Sequence, residues 1–289
     1  MLLGTGKTQS HYIYIRKNTM YIANKFFDNN KTYIMGILNV TPDSFSDGGR
    51  FNNIDDALKR VDKMVCDGAD IIDIGGESTR PGYEKISSDE EISRVVPIIQ
   101  AIKADFDIPI SCDTYKADVA EAALSVGADM INDIWGFKYD KDMAKAVKKY
   151  DASVCLMHNR TDCNYTNLID DVKADLLESI AIAKSVGISD DKICIDPGIG
   201  FAKSLDDNLC MTKNLVKLNE LGYPILYGSS RKSMIGLTLN LPVNERLEGT
   251  IATSVIACMQ GACIIRVHDV KENKRAVEMT RAIIGNNTY

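Results

Sequence analysis

At 289 residues the chain has room for two small domains or one large α/β barrel, and 45% hydrophobic with 26% charged residues excludes disordered, collagenous and membrane-spanning classes. Lys plus Arg number 34 against 40 Asp plus Glu, a net charge of −6, so no general positive field recruits nucleic acid. The eight cysteines form no C-x-x-C pair and several sit in apolar runs, which points to buried, reduced thiols.

Residues 1–19 carry Lys7, Arg16 and Lys17 and read as an N-terminal extension, either flexible or lying before a start at Met20. They hold no apolar stretch long enough for a secretory signal, so the expected location is cytoplasmic. Gly4-Thr5-Gly6-Lys7-Thr8 ends like a phosphate-binding loop, but no strand precedes it. Residues 20–289 read as one domain. Short β-branched runs at 33–38, 70–74, 109–113, 129–133, 153–157, 192–196, 224–227 and 263–267 predict eight strands. Helical periodicity fills 55–67, 88–104, 117–126, 141–150, 167–186, 205–221, 245–260 and 270–284. Gly68, Gly127 and Gly261, each just ahead of an apolar run, read as helix stops. Eight β/α units without a G-x-G-x-x-G predict a single-domain (β/α)8 TIM barrel rather than an open dinucleotide-binding sheet.

On such a barrel the functional groups cluster at the C-terminal strand ends. Here those ends carry Asn39, then Glu77, Ser78 and Thr79, then Asp113, Asn132 and Asp133, His158 and Asn159, Asp196, the stretch 229–233, and Arg266 with His268. Any one of them could serve as an Asx turn or helix cap. Together they suggest a site for a planar, polar, hydrogen-bonding molecule. After strands seven and eight, Gly228-Ser229-Ser230-Arg231-Lys232-Ser233 and Arg266-Val267-His268 offer local positive charge to an anion, or form surface salt bridges. The three histidines, His11, His158 and His268, have no zinc spacing; His158 reads as packing, and a phosphate near His268 would favour its charged form. No G-x-S-x-G elbow or reactive cysteine context supports covalent catalysis. The Gly-rich stretches 39–49 and 75–82 read as mobile lids or as ordinary surface loops.

Gly36-Ile37-Leu38-Asn39-Val40-Thr41-Pro42-Asp43-Ser44-Phe45-Ser46-Asp47-Gly48-Gly49 and Gly75-Gly76-Glu77-Ser78-Thr79-Arg80-Pro81-Gly82 resemble dihydropteroate synthases. So do Asp113, Asn132-Asp133-Ile134, Met157-His158, Ile195-Asp196-Pro197-Gly198-Ile199-Gly200-Phe201, Ser230-Arg231-Lys232-Ser233 and Arg266-Val267-His268, a likeness spanning about residue 20 to the C-terminus. The resemblance implies condensation of (7,8-dihydropterin-6-yl)methyl diphosphate with 4-aminobenzoate, giving 7,8-dihydropteroate and pyrophosphate in folate biosynthesis. It implies that Asp113, Asn132, Asp196 and Lys232 hold the pterin, Asp196 accepting from its guanidine-like edge, while Met157, Phe201 and Gly228 line the slot. It implies that Arg266, His268 and Thr79 bind the diphosphate, with Asn39 as the one protein ligand of Mg2+. Thr79, Arg80, Pro81, Phe45, Lys232 and Ser233 would surround the aminobenzoate, and Asp43 and Asp47 would order the closed loops. The resemblance further implies a dissociative, cation-like reaction step, inhibition by sulfonamides and a homodimer, for which the apolar run 251–257 supplies a candidate face or simply core.

Trp135 departs from the family pattern, standing where a small residue is usual; it packs beneath the loop or narrows the pterin slot. Two rivals share this end of a barrel. A methyltetrahydrofolate methyltransferase would keep Asp113, Asn132 and Asp196 without needing Thr-Pro-Asp-Ser-Phe-Ser, Ser-Thr-Arg-Pro or Ser-Arg-Lys-Ser. A non-catalytic pterin-binding paralogue would have shed loop residues that are present here.

Overall fold

Four helices stop by the same local chemistry. At Gly68, Gly127, Gly187 and Gly261 the backbone turns left-handed, with φ of 98°, 110°, 86° and 91°. The next residue then donates to a carbonyl five positions back: Ala69 to Met64 at 2.8 Å, Ala128 to Ala123 at 3.0 Å, Ile188 to Ala183 at 3.1 Å and Ala262 to Ala257 at 2.9 Å. Only glycine takes that conformation without a Cβ penalty, which is why these positions end helices. At two of these corners the following aspartate seeds a sheet: Asp70 Oδ2 accepts from the Ile34 amide and Asp129 Oδ2 from the Ile110 amide, both at 2.8 Å.

The computed structural model describes residues 19–28, 30–41, 50–77 and 85–285. Its strands are β1 (Met20–Ile22), β2 (Lys25–Phe27), β3 (Tyr33–Asn39), β4 (Ile71–Gly75), β5 (Ile110–Asp113), β6 (Met130–Asp133), β7 (Ser153–Met157), β8 (Ile193–Asp196), β9 (Leu226–Tyr227) and β10 (Ile264–Val267). The helices are α1 (Arg50–Cys66), α2 (Ser88–Asp105), α3 (Ala117–Ser125), α4 (Met143–Lys149), α5 (Leu168–Ser185), α6 (Leu205–Lys213), α7 (Ser233–Leu239), α8 (Leu247–Met259) and α9 (Val270–Gly285). Strands β3 to β10 are parallel and pair in the order β8-β7-β6-β5-β4-β3-β10-β9. A further parallel bridge joins Ile195 to Ile225, so the two ends of the sheet meet and the barrel closes, as the eight-unit pattern predicts.

The sequence pattern misses three things. Strands β1 and β2 form an antiparallel hairpin whose Met20, Ile22 and Phe27 pack against Met35, Ile71, Met130, Cys155, Cys194, Leu226, Cys263 and Ile264, plugging the N-terminal end of the barrel. Strands of three residues are too short to show a period. The helix expected at 205–221 ends at Lys213 and continues as a 3-10 segment over Leu215–Leu221. Helix α7, seven residues long, falls in the gap between the predicted strand at 224–227 and the predicted helix at 245–260. Five cysteines are buried as expected, but Cys66, Cys163 and Cys210 are exposed. Among the described residues no helix is long and apolar enough to cross a membrane.

Candidate active site at the C-terminal mouth

Register places the tips. Asn39 pairs with Gly75, Gly75 with Asp113, and Asp113 with Asn132, so one row of partners crosses four adjacent strands at the C-terminal end of the sheet. Strand alternation puts residues two apart on the same face. Asp73 therefore lies one layer beneath Gly75, inside the barrel, as Ser111 lies beneath Asp113. Asp73, Asp113, Asn132 and Asp196 are all buried.

The centre of this layer is Arg266, from β10. Its Nε donates to Asp73 Oδ2 at 2.5 Å and its Nη2 to Asp113 Oδ2 at 2.7 Å, while Asn132 Nδ2 donates to the same Asp73 oxygen at 3.3 Å. Burial works against the charge of Arg266, but the carboxylates of Asp73 and Asp113 outweigh it and raise the guanidinium's pKa. Burial pushes Asp113 up to about 7, with Arg266 pulling down and Asp73 pushing up. Asp73 Oδ1, Ser111 Oγ and Asp113 Oδ1 are buried without any hydrogen-bond partner in the described structure. Native proteins seldom leave buried acceptors unpaired. Two buried, unpaired carboxylate oxygens beside Arg266 suit a ligand that donates hydrogen bonds.

Across the mouth, Asp196 ends β8 and its Oδ1 accepts from the Gly198 amide at 2.7 Å. A Cβ built on Gly228 would stand 3.6 Å from Arg266 Cβ and 3.9 Å from Asp196 Oδ2, so this glycine keeps a gap between the two charged groups. Lys232 Nζ donates to the Ile199 carbonyl at 2.6 Å and lies 4.8 Å from the centroid of the Phe201 ring. Burial lowers the Lys232 pKa to about 8 despite Asp196, and raises that of Asp196 despite Lys232. Met157 is buried with Tyr115 and Ile134, and Phe201 and Trp135 pack against them. The indole of Trp135 thus shares the apolar wall of Met157 and Phe201.

The two cationic loops are tied together. Ser230 Oγ lies 3.0 Å from His268 Nδ1 and accepts from the His268 amide at 3.2 Å. Arg231, at φ 57°, holds Asp269 with both Nε (3.0 Å) and Nη2 (2.5 Å), and its carbonyl accepts from Arg246 Nη1 at 2.9 Å. A non-glycine residue kept in this region is strained and persists only when its surroundings hold it. Here the bidentate pair fixes the loop from which Lys232 and the exposed Ser233 leave.

Asn39 is half-buried at the tip of β3, and the position opposite is the bare Gly75, whose Cβ would approach Asn39 Oδ1 to 3.7 Å. Among the described residues no group of three or more His, Cys, Asp or Glu could hold a metal ion. A single neutral amide fits Mg2+, which keeps waters and takes ligand oxygens, and fits no metal that needs a protein cage. The expected contributions of Asp43, Phe45, Asp47, Thr79, Arg80 and Pro81 lie outside the described residues. The structure thus brings Asn39, Asp113, Asn132, Met157, Asp196, Phe201, Gly228, Lys232, Arg266 and His268 to one end of one barrel.

Sequence reasoning missed Asp73 and Lys203. The signal for Asp73 was a carboxylate inside the apolar run Ile71-Ile72-Asp73-Ile74, where a buried charge needs a partner. Lys203 gave no signal, since its contacts are made inside a turn that exists only in the folded chain.

A closed parallel barrel with an ion-paired, hydrogen-bonding mouth is the architecture of an enzyme acting on a small polar molecule. Comparison with known proteins narrows it. The family described as pterin binding enzyme matches residues 35–268. The "Dihydropteroate synthase" of Clostridium beijerinckii is 63% identical over 267 residues, covering 92% of this chain and 99% of that protein. A crystal structure of the dihydropteroate synthase of Clostridium difficile in the presence of pteroic acid is 55% identical, with a TM-score of 0.86 over 88% of this chain and 97% of that one. The dihydropteroate synthase of Yersinia pestis with a sulfonamide drug is 42% identical, with a TM-score of 0.87 over 92% of this chain and 99% of that one. The chain belongs to the pterin-binding enzymes and, among them, to the dihydropteroate synthases.

Proposed function

We propose that the barrel mouth condenses (7,8-dihydropterin-6-yl)methyl diphosphate with 4-aminobenzoate, forming dihydropteroate and releasing pyrophosphate. The single observation that carries the assignment to this mouth is the clustering there of Asp113, Asn132, Asp196, Lys232 and Arg266, with two buried carboxylate oxygens left unpaired. A pterin edge offers amino and ring N–H donors to carboxylates and a carbonyl to an ammonium. Asp196 takes the amino edge as a bidentate acceptor, Asp113 and Asn132 take the opposite ring, and Lys232 donates to the pterin. Phe201, Met157 and Gly228 bound the slot.

An arylamine has a free lone pair at neutral pH, so the reaction needs leaving-group stabilisation more than a strong base. Arg266 and His268, with Thr79, bind the departing pyrophosphate, and a guanidinium already oriented by two carboxylates costs no reorganisation as charge develops. Asn39 is the residue that would hold Mg2+, and the ion would supply neutralisation of diphosphate charge when bound. The C–O bond to the diphosphate breaks, its electron pair leaves with pyrophosphate, and the dihydropterin spreads the positive charge until the amine nitrogen adds and loses a proton. Phe45, Thr79, Arg80, Pro81, Lys232 and Ser233 enclose the aminobenzoate, with Asp43 and Asp47 ordering the loops. Sulfonamides, shaped like aminobenzoate, compete there.

Purified protein given the pterin diphosphate, labelled 4-aminobenzoate and Mg2+ should form labelled dihydropteroate. In the same assay Lys232→Ala should lose about a hundredfold or more in kcat/KM while its thermal midpoint moves by only a few degrees. Pterin binding without turnover would favour a non-catalytic role.

A second copy of the chain is the proposed partner, and the cytoplasm the proposed compartment. Leu237 (66%) in α7, Met259 (61%) in α8 and Met279 (63%) and Ile283 (64%) in α9 are exposed apolar side chains that a second copy would cover. Sedimentation velocity at micromolar concentration should give a species of twice 31.9 kDa; a single monomer boundary would rule the pairing out.

A further inference from the structure

Asp196, the Ile199 carbonyl and Phe201 all sit on one turn between β8 and α6, and that turn is organised from behind by a lysine. Lys203 Nζ lies 2.8 Å from His158 Nδ1 and donates to the carbonyls of Gly198 at 3.1 Å and Phe201 at 3.2 Å. Burial lowers the Lys203 pKa to about 7, so below that pH the group is an ammonium, which has three protons and accepts nothing, and three acceptors surround it. His158 Nδ1 must then be the acceptor, so the ring proton sits on Nε2 and is donated to Asp175 Oδ2, 3.0 Å away on α5. Arg160 Nε donates to the same oxygen at 2.5 Å and balances its charge.

The turn has little freedom to adopt another shape. Gly198, at φ 70°, lies so close to the chain that a Cβ would come within 2.0 Å of the His158 carbonyl. Tyr165 Oη donates to the Ala202 carbonyl at 2.6 Å, and the Gly200 amide donates to Asn208 Oδ1 at 2.6 Å. Burial and Lys203 together push the His158 pKa down to about 3, which keeps the ring neutral and its Nδ1 open to accept. No part of this network is required by the chemistry assigned above.

We infer that Lys203 is a positioning residue for the pterin slot, fixing through His158 and Asp175 the turn that aims Asp196, the Ile199 carbonyl and Phe201 into it. The inference rests on the pterin reading of the mouth. Removing the ammonium frees the Gly198 and Phe201 carbonyls, letting the turn that carries Asp196 relax, and the aminobenzoate side feels this only indirectly, through Lys232 on the Ile199 carbonyl.

The test is Lys203→Met, with steady-state kinetics in both substrates and calorimetric binding of the pterin diphosphate. The expected result is a rise of tenfold or more in KM and Kd for the pterin diphosphate, with KM for 4-aminobenzoate within twofold of wild type. Long-range 1H–15N spectra should show the Nε2-protonated His158 tautomer in the wild type at pH 6, and a mixture of the two neutral tautomers in the variant, where Nδ1 has lost its donor. Asp175→Asn, which keeps the shape of the network, should raise the pterin KM about threefold and decides the matter if Lys203→Met fails to fold. Unchanged pterin binding in a folded Lys203→Met, an equal rise in both KM values, or, where only Asp175→Asn folds, a pterin KM within twofold of wild type overturns the inference alone. Wild-type protein that binds no pterin diphosphate overturns the pterin reading, and this inference with it.

Discussion

Arg266→Met is expected to lower kcat/KM by about a thousandfold or more, roughly 4 kcal/mol of lost transition-state stabilisation, and to destabilise the fold by about 3–5 kcal/mol at pH 8. The two losses have one origin. The guanidinium satisfies Asp73 and Asp113 from the centre of the barrel, and both carboxylates stay buried when it goes. Breaking a buried pair on one side costs more than the pair contributed, because the remaining charge has no water to turn to. The stability loss should shrink as pH falls toward 5. Without the guanidinium the Asp113 pKa rises further above its already raised native value, so the folded variant takes up a proton that the unfolded chain, with an ordinary carboxyl, has released. Urea unfolding at pH 5 and pH 8 measures the difference. A variant that retains kcat/KM within threefold, or loses the same stability at both pH values, would refute the role given to Arg266.

The barrel was legible because its corners are local. A Gly-Ala-Asp at the end of a helix fixes the helix stop and the amide partner for a neighbouring strand, so Asp70 and Asp129 mark their strands within a residue of where they begin. The strand tips were legible because alternation makes every polar tip residue of the right parity point inward. What stayed hidden depends on distance along the chain. Asp73 is meaningful only beside Arg266, 193 residues away, and in the sequence it is one acid in an apolar run. Lys203 and His158, 45 residues apart, meet only once β7, β8 and the turn after β8 are in place. The hairpin of β1 and β2 was invisible for another reason: it is held by burial against the barrel floor, and its turn runs through Ala23 at φ 52° rather than through a glycine that would have announced it.

Asp113→Asn should separate activity from stability. Asparagine keeps the shape and can still meet Arg266 through its carbonyl, but it removes an acceptor oxygen from the pterin face, so kcat/KM is expected to fall by about ten- to a hundredfold. The sign of the stability change follows from the carboxyl's own titration. Burial raises the native pKa of Asp113 to about 7 from its usual 3.8, so between pH 4 and pH 7 the folded state holds a proton that the unfolded state has given up. Stability from this group is fully present below about pH 4 and declines as pH rises through 7. Asparagine does not titrate and escapes that decline. The variant should therefore gain on the wild type steadily across this window and be at its greatest relative advantage near pH 8, where turnover has suffered most. Thermal midpoints of both proteins from pH 4 to pH 8 test it: parallel curves would mean that Asp113 is ionised in the native state throughout, and that the buried acid is a satisfied partner of Arg266 rather than a strained group kept in place for the substrate.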